Sequence, residues 1–365
     1  MERFSPEREG EKEEYLTVEE VDRPTLLPLR YEDIWAWAKL FESLIWTFGE
    51  TDLSRDKPDW EHVLSAGDRA YYRMIIGMAG VADEMVTKNL RKRFLDEIAV
   101  KEAVSVFTVQ ALHELVHNES YSRTIEAIFV EEEQAELFNA IQTMPVVGKI
   151  MGWVDRWICS KDPIGTRLAA FATFEGGMFQ GLFLSIQLLK ERGVMPGITM
   201  LNEMIQRDEG NHCLFGCFLL TKHIVNRPAK EQVYQIMGEG IALMDEFFTI
   251  ACNDAKIAEG LPLTAACPVR NISESRMHTY VRSVFDVVCA DMGYTMLYKV
   301  LNPYPEATKL TLNEVLKTNF FEHLVTQYNL NVDYQFSPQL ERCQAIGFGG
   351  VEVPLAQVIR TSHAL

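Results

Sequence analysis

Two stretches of this sequence place a glutamate three residues before a histidine in largely apolar surroundings. They are Glu114 and His117 in "VQALHELVHNESY", and Glu209 and His212 in "RDEGNHC". On an α-helix, residues three apart share a face, so each pair offers one carboxylate and one imidazole to a single point. A lone pair of this kind is more often a solvated feature of a helix surface. These two sit in apolar runs, "ITMLNEMIQ" before and "CLFGCFLL" after the second, where an isolated charge costs several kcal/mol or more unless it meets a partner. Two further acids stand in the same predicament. Glu175 has Leu168, Phe171, Ala172, Phe179 and Leu182 at helical offsets, and Asp83 has Ile76, Ala79, Gly80 and Val86. Glu84, beside Asp83, shares its face with Gly80 and Lys88 and is expected to point outward. A bundle that joins two Glu-x-x-His helices to one carboxylate from each of two others builds a dinuclear metal site. The expected ligand set is Asp83, Glu114, His117, Glu175, Glu209 and His212. Four carboxylates balance two divalent ions, and this donor set suits iron or manganese better than zinc, which prefers four thiolate or imidazole ligands.

Such a site needs long helices, and the sequence offers them. Apolar residues recur at three- and four-residue spacing through 67–98, 101–128, 131–141, 163–192, 197–225, 229–254 and 273–300. Punctuation falls between these segments: "KDP" at 161–163, "GVMPG" at 193–197, "NRP" at 226–228 and "NPYP" at 302–305. Strand-like alternation is scarce, and neither a glycine-rich dinucleotide fingerprint nor a phosphate loop occurs. The expected fold is all-α: a long, ferritin-like helical bundle with a di-metal carboxylate site in its core. Residues 1–24 read as a flexible acidic arm, 25–328 as the helical domain and 329–365 as a C-terminal tail.

Composition narrows the partners. The 365 residues carry a formal net charge of −17, which argues against nucleic acid as a partner. Seven cysteines, at 159, 213, 217, 252, 267, 289 and 343, lack zinc-finger spacing and read as buried reduced thiols. The first residues, "MERFSPEREGEKEEY", hold no apolar signal segment. The run 168–189 approaches membrane-spanning length but contains Glu175 and Gln180, so a core helix is expected instead. Cytosol is the expected compartment.

The same residues resemble a known family, the small, radical-generating subunit of class I ribonucleotide reductase in its eukaryotic or large-DNA-virus form. The resemblance runs from about Pro28 to Tyr328 and rests on "WTFGETDLSRD" (46–56), "ADEMVTKNL" (82–90), "HELVHNESYS" (113–122), "NAIQTMP" (139–145), "RGVMPG" (192–197), "RDEGNHC" (207–213) and "TNFFEHLVTQY" (318–328). It implies that the metals are two irons per chain that react with dioxygen, and that Tyr121 becomes the stable radical. A manganese–iron pair is the variant, and the retained Tyr121 argues for two irons. The resemblance also implies an apolar pocket of Phe179, Phe183 and Ile205 around Tyr121. A hydrogen-bonded path through His117, Asp208 and Trp46, flanked by Arg207, would carry the radical outward. Tyr328 would hand it to a separate large subunit that reduces ribonucleotides, and the chain itself would be a homodimer. Without the resemblance, Tyr121 reads as a core tyrosine and Trp46 as a packed aromatic. Two alternatives keep parts of the pattern. A different ferritin-like di-metal oxidase would share the ligands but need neither the Trp46–Asp208 relay nor Tyr328. An inactive scaffold subunit would not need the ligands. The chain departs from the family pattern at Glu84, where Gly is usual, and in a tail poor in acids that ends "RTSHAL".

Overall fold

A computed structural model of the chain describes residues 13–20 and 22–305. Tyr328, Cys343 and the expected tail lie outside the described residues, as does most of the expected arm. The described residues contain helices and no strand. In chain order the α-helices of four residues or more are α1 (Glu32–Ser43), α2 (Asp56–His62), α3 (Ala66–Asn89), α4 (Lys101–Ile128), α5 (Glu131–Phe138), α6 (Ala140–Thr143), α7 (Pro145–Ile158), α8 (Ile164–Ala172), α9 (Gln180–Glu191), α10 (Pro196–Phe218), α11 (Lys230–Ala258) and α12 (Glu274–Asp291). α3 packs against α4 and α11, α1 lies on α4, α8 and α9 flank α10, and α12 lies on α11.

Local chemistry explains where the helices that carry the site begin. Ser65 caps α3: its hydroxyl accepts from Asp68 N at 3.1 Å while the Asp68 carboxylate accepts from Ser65 N at 3.2 Å. That reciprocal pair satisfies donors the helix itself cannot. The same Asp68 takes a two-pronged bond from Arg192 at 2.9 and 2.8 Å, tying the start of α3 to the end of α9. α10 starts at Pro196, whose fixed φ suits the first helical position. Its exposed amides are met by buried Asp56, which accepts from Gly197 N at 2.8 Å and Ile198 N at 2.6 Å.

Among the described residues, three π-helical turns interrupt the bundle: Leu90–Phe94 after α3, Thr173–Met178 between α8 and α9, and Leu219–His223 after α10. The middle one carries Glu175. It is pressed onto α10 so closely that a Cβ on Gly176 would stand 2.1 Å from Cys213 Sγ. A Cβ on Gly177 would stand 2.8 Å from the Phe285 ring of α12. No side chain larger than hydrogen allows that approach. The turn also splits the long apolar run 168–189, and among the described residues no helix is long and apolar enough to cross a membrane.

The observed elements differ from the expected ones in several places, the first being α1 and α2, which lie ahead of the first periodic segment at 67. The helix α7 is not among the expected periodic segments either; Pro145 opens it, its fixed φ suiting the first helical position. α12 ends at Asp291, nine residues short of the expected 300. Gly293, at φ +78°, closes it: Tyr294 N bonds Cys289 O at 3.0 Å and Gly293 N bonds Ala290 O at 2.8 Å. Part of the expected arm packs on the bundle. Leu16 is buried, Ala99 N bonds its carbonyl at 2.7 Å, and Arg23 reaches the buried Glu102 of α4. Of the described cysteines, Cys213, Cys217, Cys252 and Cys289 are buried, Cys267 is half-buried and Cys159 is exposed; all are free thiols.

Candidate metal centre

Four elements converge in the core. α3 contributes Asp83, α4 contributes Glu114, His117 and Tyr121, the π turn contributes Glu175, and α10 contributes Asp208, Glu209 and His212. All of these side chains are fully buried except Tyr121, which is 2% exposed; Glu84 is exposed, as its face predicts. One donor atom from each of Glu114, Glu175, Glu209 and His212 lies within 4.8 Å of the others. His212 Nδ1 sits 3.0 Å from Glu114 and 3.4 Å from Glu175, and His117 Nδ1 sits 2.9 Å from Glu209 and 3.5 Å from Glu114. Asp83 joins the group electrostatically, with Glu114, Glu209 and both histidines acting on its charge.

The cluster does not satisfy itself. Both oxygens of Asp83 and of Glu175, one oxygen each of Glu114 and Glu209, and His212 Nδ1 are buried with no hydrogen-bond partner. Orphaned polar atoms of this kind are rare in folded proteins and ask for an explanation, of which an ion is one. The titration pattern agrees. Burial pushes the Asp83 and Glu175 carboxyls well above the usual range, and for Glu175 the neighbouring Glu209 charge adds to it. Burial disfavours a charged His212, yet Glu114 and Glu209 carry it up to about 9. Burial likewise opposes a charged His117, but its bonds to Asp208, Glu114 and Glu209 hold it well above its ordinary value. Cations bound by hard oxygen and imidazole donors would replace these protons and meet every orphaned atom. The residues present therefore fit a metal pair.

A second arrangement leads away from the cluster. Asp208 Oδ2 accepts from Trp46 Nε1 at 2.7 Å and lies 3.2 Å from His117 Nε2, while Oδ1 accepts from Arg207 Nε at 2.9 Å. Burial works against the Asp208 charge, but His117 and Arg207 outweigh it and hold the carboxyl at about 2. Trp46 stacks on His117 with ring centroids 6.0 Å apart. Trp46, Asp208 and His117 thus form one continuous hydrogen-bonded chain with its inner end at the cluster. The Tyr121 hydroxyl is buried without a partner, and burial pushes it well above its ordinary value, with Asp83 and Glu209 as the charges acting on it. Phe179, Phe183 and Ile205 are all buried, and the two phenyl rings stack 5.7 Å apart at 8°.

One buried residue here escaped the sequence reading. His113 lies 3.1 Å from His212 Nε2 through its Nδ1 and 3.1 Å from the Phe41 carbonyl through its Nε2. Burial pushes its imidazole down to about 3. The only signal in the sequence was its position next to Glu114, which is no guide to a contact made across helices.

Comparisons with known proteins follow the same lines. A family profile described as "Ribonucleotide reductase, small chain" matches residues 23–303. The chain is 39% identical over 317 residues to a ribonucleoside-diphosphate reductase small chain of African swine fever virus, covering 86% of this chain and 94% of the viral one. It is 37% identical over 332 residues to ribonucleoside-diphosphate reductase subunit M2 of Rattus norvegicus, covering 90% and 80%. Among solved structures, the ribonucleotide reductase Rnr4 homodimer from Saccharomyces cerevisiae superposes with a TM-score of 0.68 at 26% identity, over 86% of this chain and 92% of that one.

Proposed function

The chain belongs to the ribonucleotide reductase small-chain family and is the small subunit of a ribonucleoside-diphosphate reductase with a ferritin-like helical fold, and on that premise we propose that its core cluster holds two irons and makes a radical at Tyr121. The observation that carries this reading is the set of buried, partnerless donor atoms on Asp83, Glu114, Glu175, Glu209 and His212. Asp83, Glu114, His117, Glu175, Glu209 and His212 are the proposed ligands. When bound, the metal pair supplies, with dioxygen as oxidant, the one-electron oxidation of Tyr121.

The chain's own residues do the rest. Tyr121 has no hydrogen-bond partner and almost no exposure, so neither water nor a solvent reductant reaches its ring, and the apolar Phe179, Phe183 and Ile205 extend that protection. Asp208 keeps its negative charge at any working pH and accepts from Trp46 while facing His117. An indole whose N–H points at a carboxylate can lose its electron and keep its proton close, so Trp46 is the proposed inner station of the path outward. Tyr328 is its proposed outer station. The partner is a reductase large subunit, and the working form is a homodimer of this chain bound to it; the setting is the cytoplasm. The buried Trp46–Asp208–His117 chain disfavours a different ferritin-like oxidase, which has no use for it, and the complete donor set disfavours an inactive scaffold.

Low-temperature electron paramagnetic resonance on iron-loaded, aerated full chain tests the proposal, with iron quantified on the same sample. Wild type should show a tyrosyl signal and about two irons per chain, as the donor count implies. Tyr121→Phe should keep the iron and lose the signal. Trp46→Phe should keep both and lose deoxyribonucleotide formation with the large subunit. A persistent signal in Tyr121→Phe means another tyrosine is the radical site.

A further inference from the structure

The C-terminal end of α1 touches both halves of the site. The Leu44 carbonyl accepts from Arg207 Nη2 at 2.8 Å, and Arg207 in turn holds Asp208, which faces His117. The Phe41 carbonyl is 3.1 Å from His113 Nε2, and His113 Nδ1 is 3.1 Å from His212 Nε2. Carbonyls in the last turn of a helix carry the negative end of its dipole; the Phe41 carbonyl accepts from Leu44 N at 3.1 Å and has a second lone pair for His113.

A carbonyl accepts and never donates. His113 Nε2 must therefore carry the proton in its bond to Phe41. A neutral imidazole has only one N–H, and full burial against the Phe41 ring, 5.7 Å away, favours the neutral form. His113 Nδ1 is then a bare acceptor. The proton between the two rings must sit on His212 Nε2. What remains on His212 is Nδ1, the atom aimed at Glu114, Glu175 and Glu209.

We propose that His113 is a positioning residue: anchored on the Phe41 carbonyl, it sets the tautomer and ring orientation of His212 so that Nδ1 is presented to the metal. This rests on the metal reading given above. Metal-bound histidines commonly donate their second N–H to a carboxylate, a carbonyl or water; in this chain the acceptor is another imidazole, tautomerised by a helix end.

Two measurements decide it. The first is a neutron crystal structure of the full, deuterium-exchanged chain. A deuteron is expected on His113 Nε2 and on His212 Nε2, with none on His113 Nδ1; a deuteron on His113 Nδ1 overturns the proposal. The second is titration with Mn2+ under anaerobic conditions, followed by calorimetry. His113→Leu should weaken one of the two ions about 10- to 100-fold. His113→Asn, whose side-chain oxygen can stand where Nδ1 stands, should recover most of that loss. Equal weakening by both variants, or none by His113→Leu, overturns the proposal. Wild-type chain that takes up no Mn2+ refutes the metal reading instead, and the deuteron positions then decide the role of His113 by themselves.

Discussion

Glu102 and Glu175 are both fully buried glutamates on core helical elements, yet they are treated in opposite ways. Glu102 takes two bonds from Arg23 at 2.6 Å each and further bonds from Arg30 N at 2.8 Å and Tyr31 N at 3.4 Å. Burial opposes its charge, but the Arg23 guanidinium and these amides hold its carboxyl below the usual range. Glu175 has no hydrogen-bond partner for either oxygen, and burial beside Glu209 pushes it well above that range. The protein gives one acid a guanidinium and two amides, and leaves the other only the His212 imidazole at 3.4 Å, which Glu114 and Glu209 share. A buried carboxylate with its cation built in is structural; one without leaves room for a cation from outside.

Metal removal gives the largest expected contrast. A ligand present at about a thousand times its dissociation constant stabilises the folded state by about 4 kcal/mol. Anaerobically loaded chain should therefore melt well above chelator-treated chain by calorimetry, and identical melting temperatures would break the comparison. Next come the neutral replacements. Glu102→Gln takes from buried Arg23 one of its two carboxylate partners, leaving Glu20, and should cost about 1–3 kcal/mol in urea unfolding. Glu175→Gln should raise the stability of the metal-free chain, because a neutral amide spares the core the cost of neutralising that carboxyl; a loss there would show that the carboxyl makes a net favourable contact.

The pH dependence should separate the two sites as well. Asp83 and Glu175 have folded values above their unfolded ones. Their contribution is complete below the ordinary carboxylate range and lost as pH rises through the raised values. Glu102 lies on the other side: its contribution is complete above that range and lost as pH falls through its lowered value. Metal-free chain should thus lose stability on both flanks. The alkaline loss should shrink in the Asp83→Asn, Glu175→Gln double variant, leaving the part that His117 and His212 contribute through their own raised values, and the acid loss should shrink in Glu102→Gln, both read from urea midpoints across pH. The smallest effect concerns shape. Gly176→Ala forces the π turn off Cys213 and should cost about 1–3 kcal/mol, with weakened uptake of metal by the ligand set that includes Glu175.

What the sequence revealed and what it hid follow one rule. Asp83, Glu114, Glu175 and Glu209 were legible because an acid in an apolar helical run is anomalous by itself, and the inward face of Asp83 against the outward face of Glu84 follows from helical offsets alone. α4 could be bounded because its apolar period runs unbroken over Lys101–Ile128. α7 stayed hidden because Pro145 can either stop a helix or start one. The end of α12 stayed hidden because it depends on the positive φ of Gly293, a conformation that leaves no periodic trace. His113 was invisible as a contact because its partners, on α1 and α10, lie 72 and 99 residues away. Anomalies of residue type show in one dimension; pairings between helices do not.

The π turn at Thr173–Met178 sets the rotational phase of everything after it. Shortening that segment by one residue would let ordinary α-turns close straight through from α8 into α9, at about 100° of rotation per residue. α9 would stay helical, but Phe179, Leu182 and Phe183 would swing away from the core they now fill. Length changes are absorbed easily in the surface connections between helices; here a single deletion would leave the secondary structure intact and dismantle the interior. In an alignment of relatives, a one-residue gap within 173–178 would therefore mark chains in which the position of Glu175 is lost.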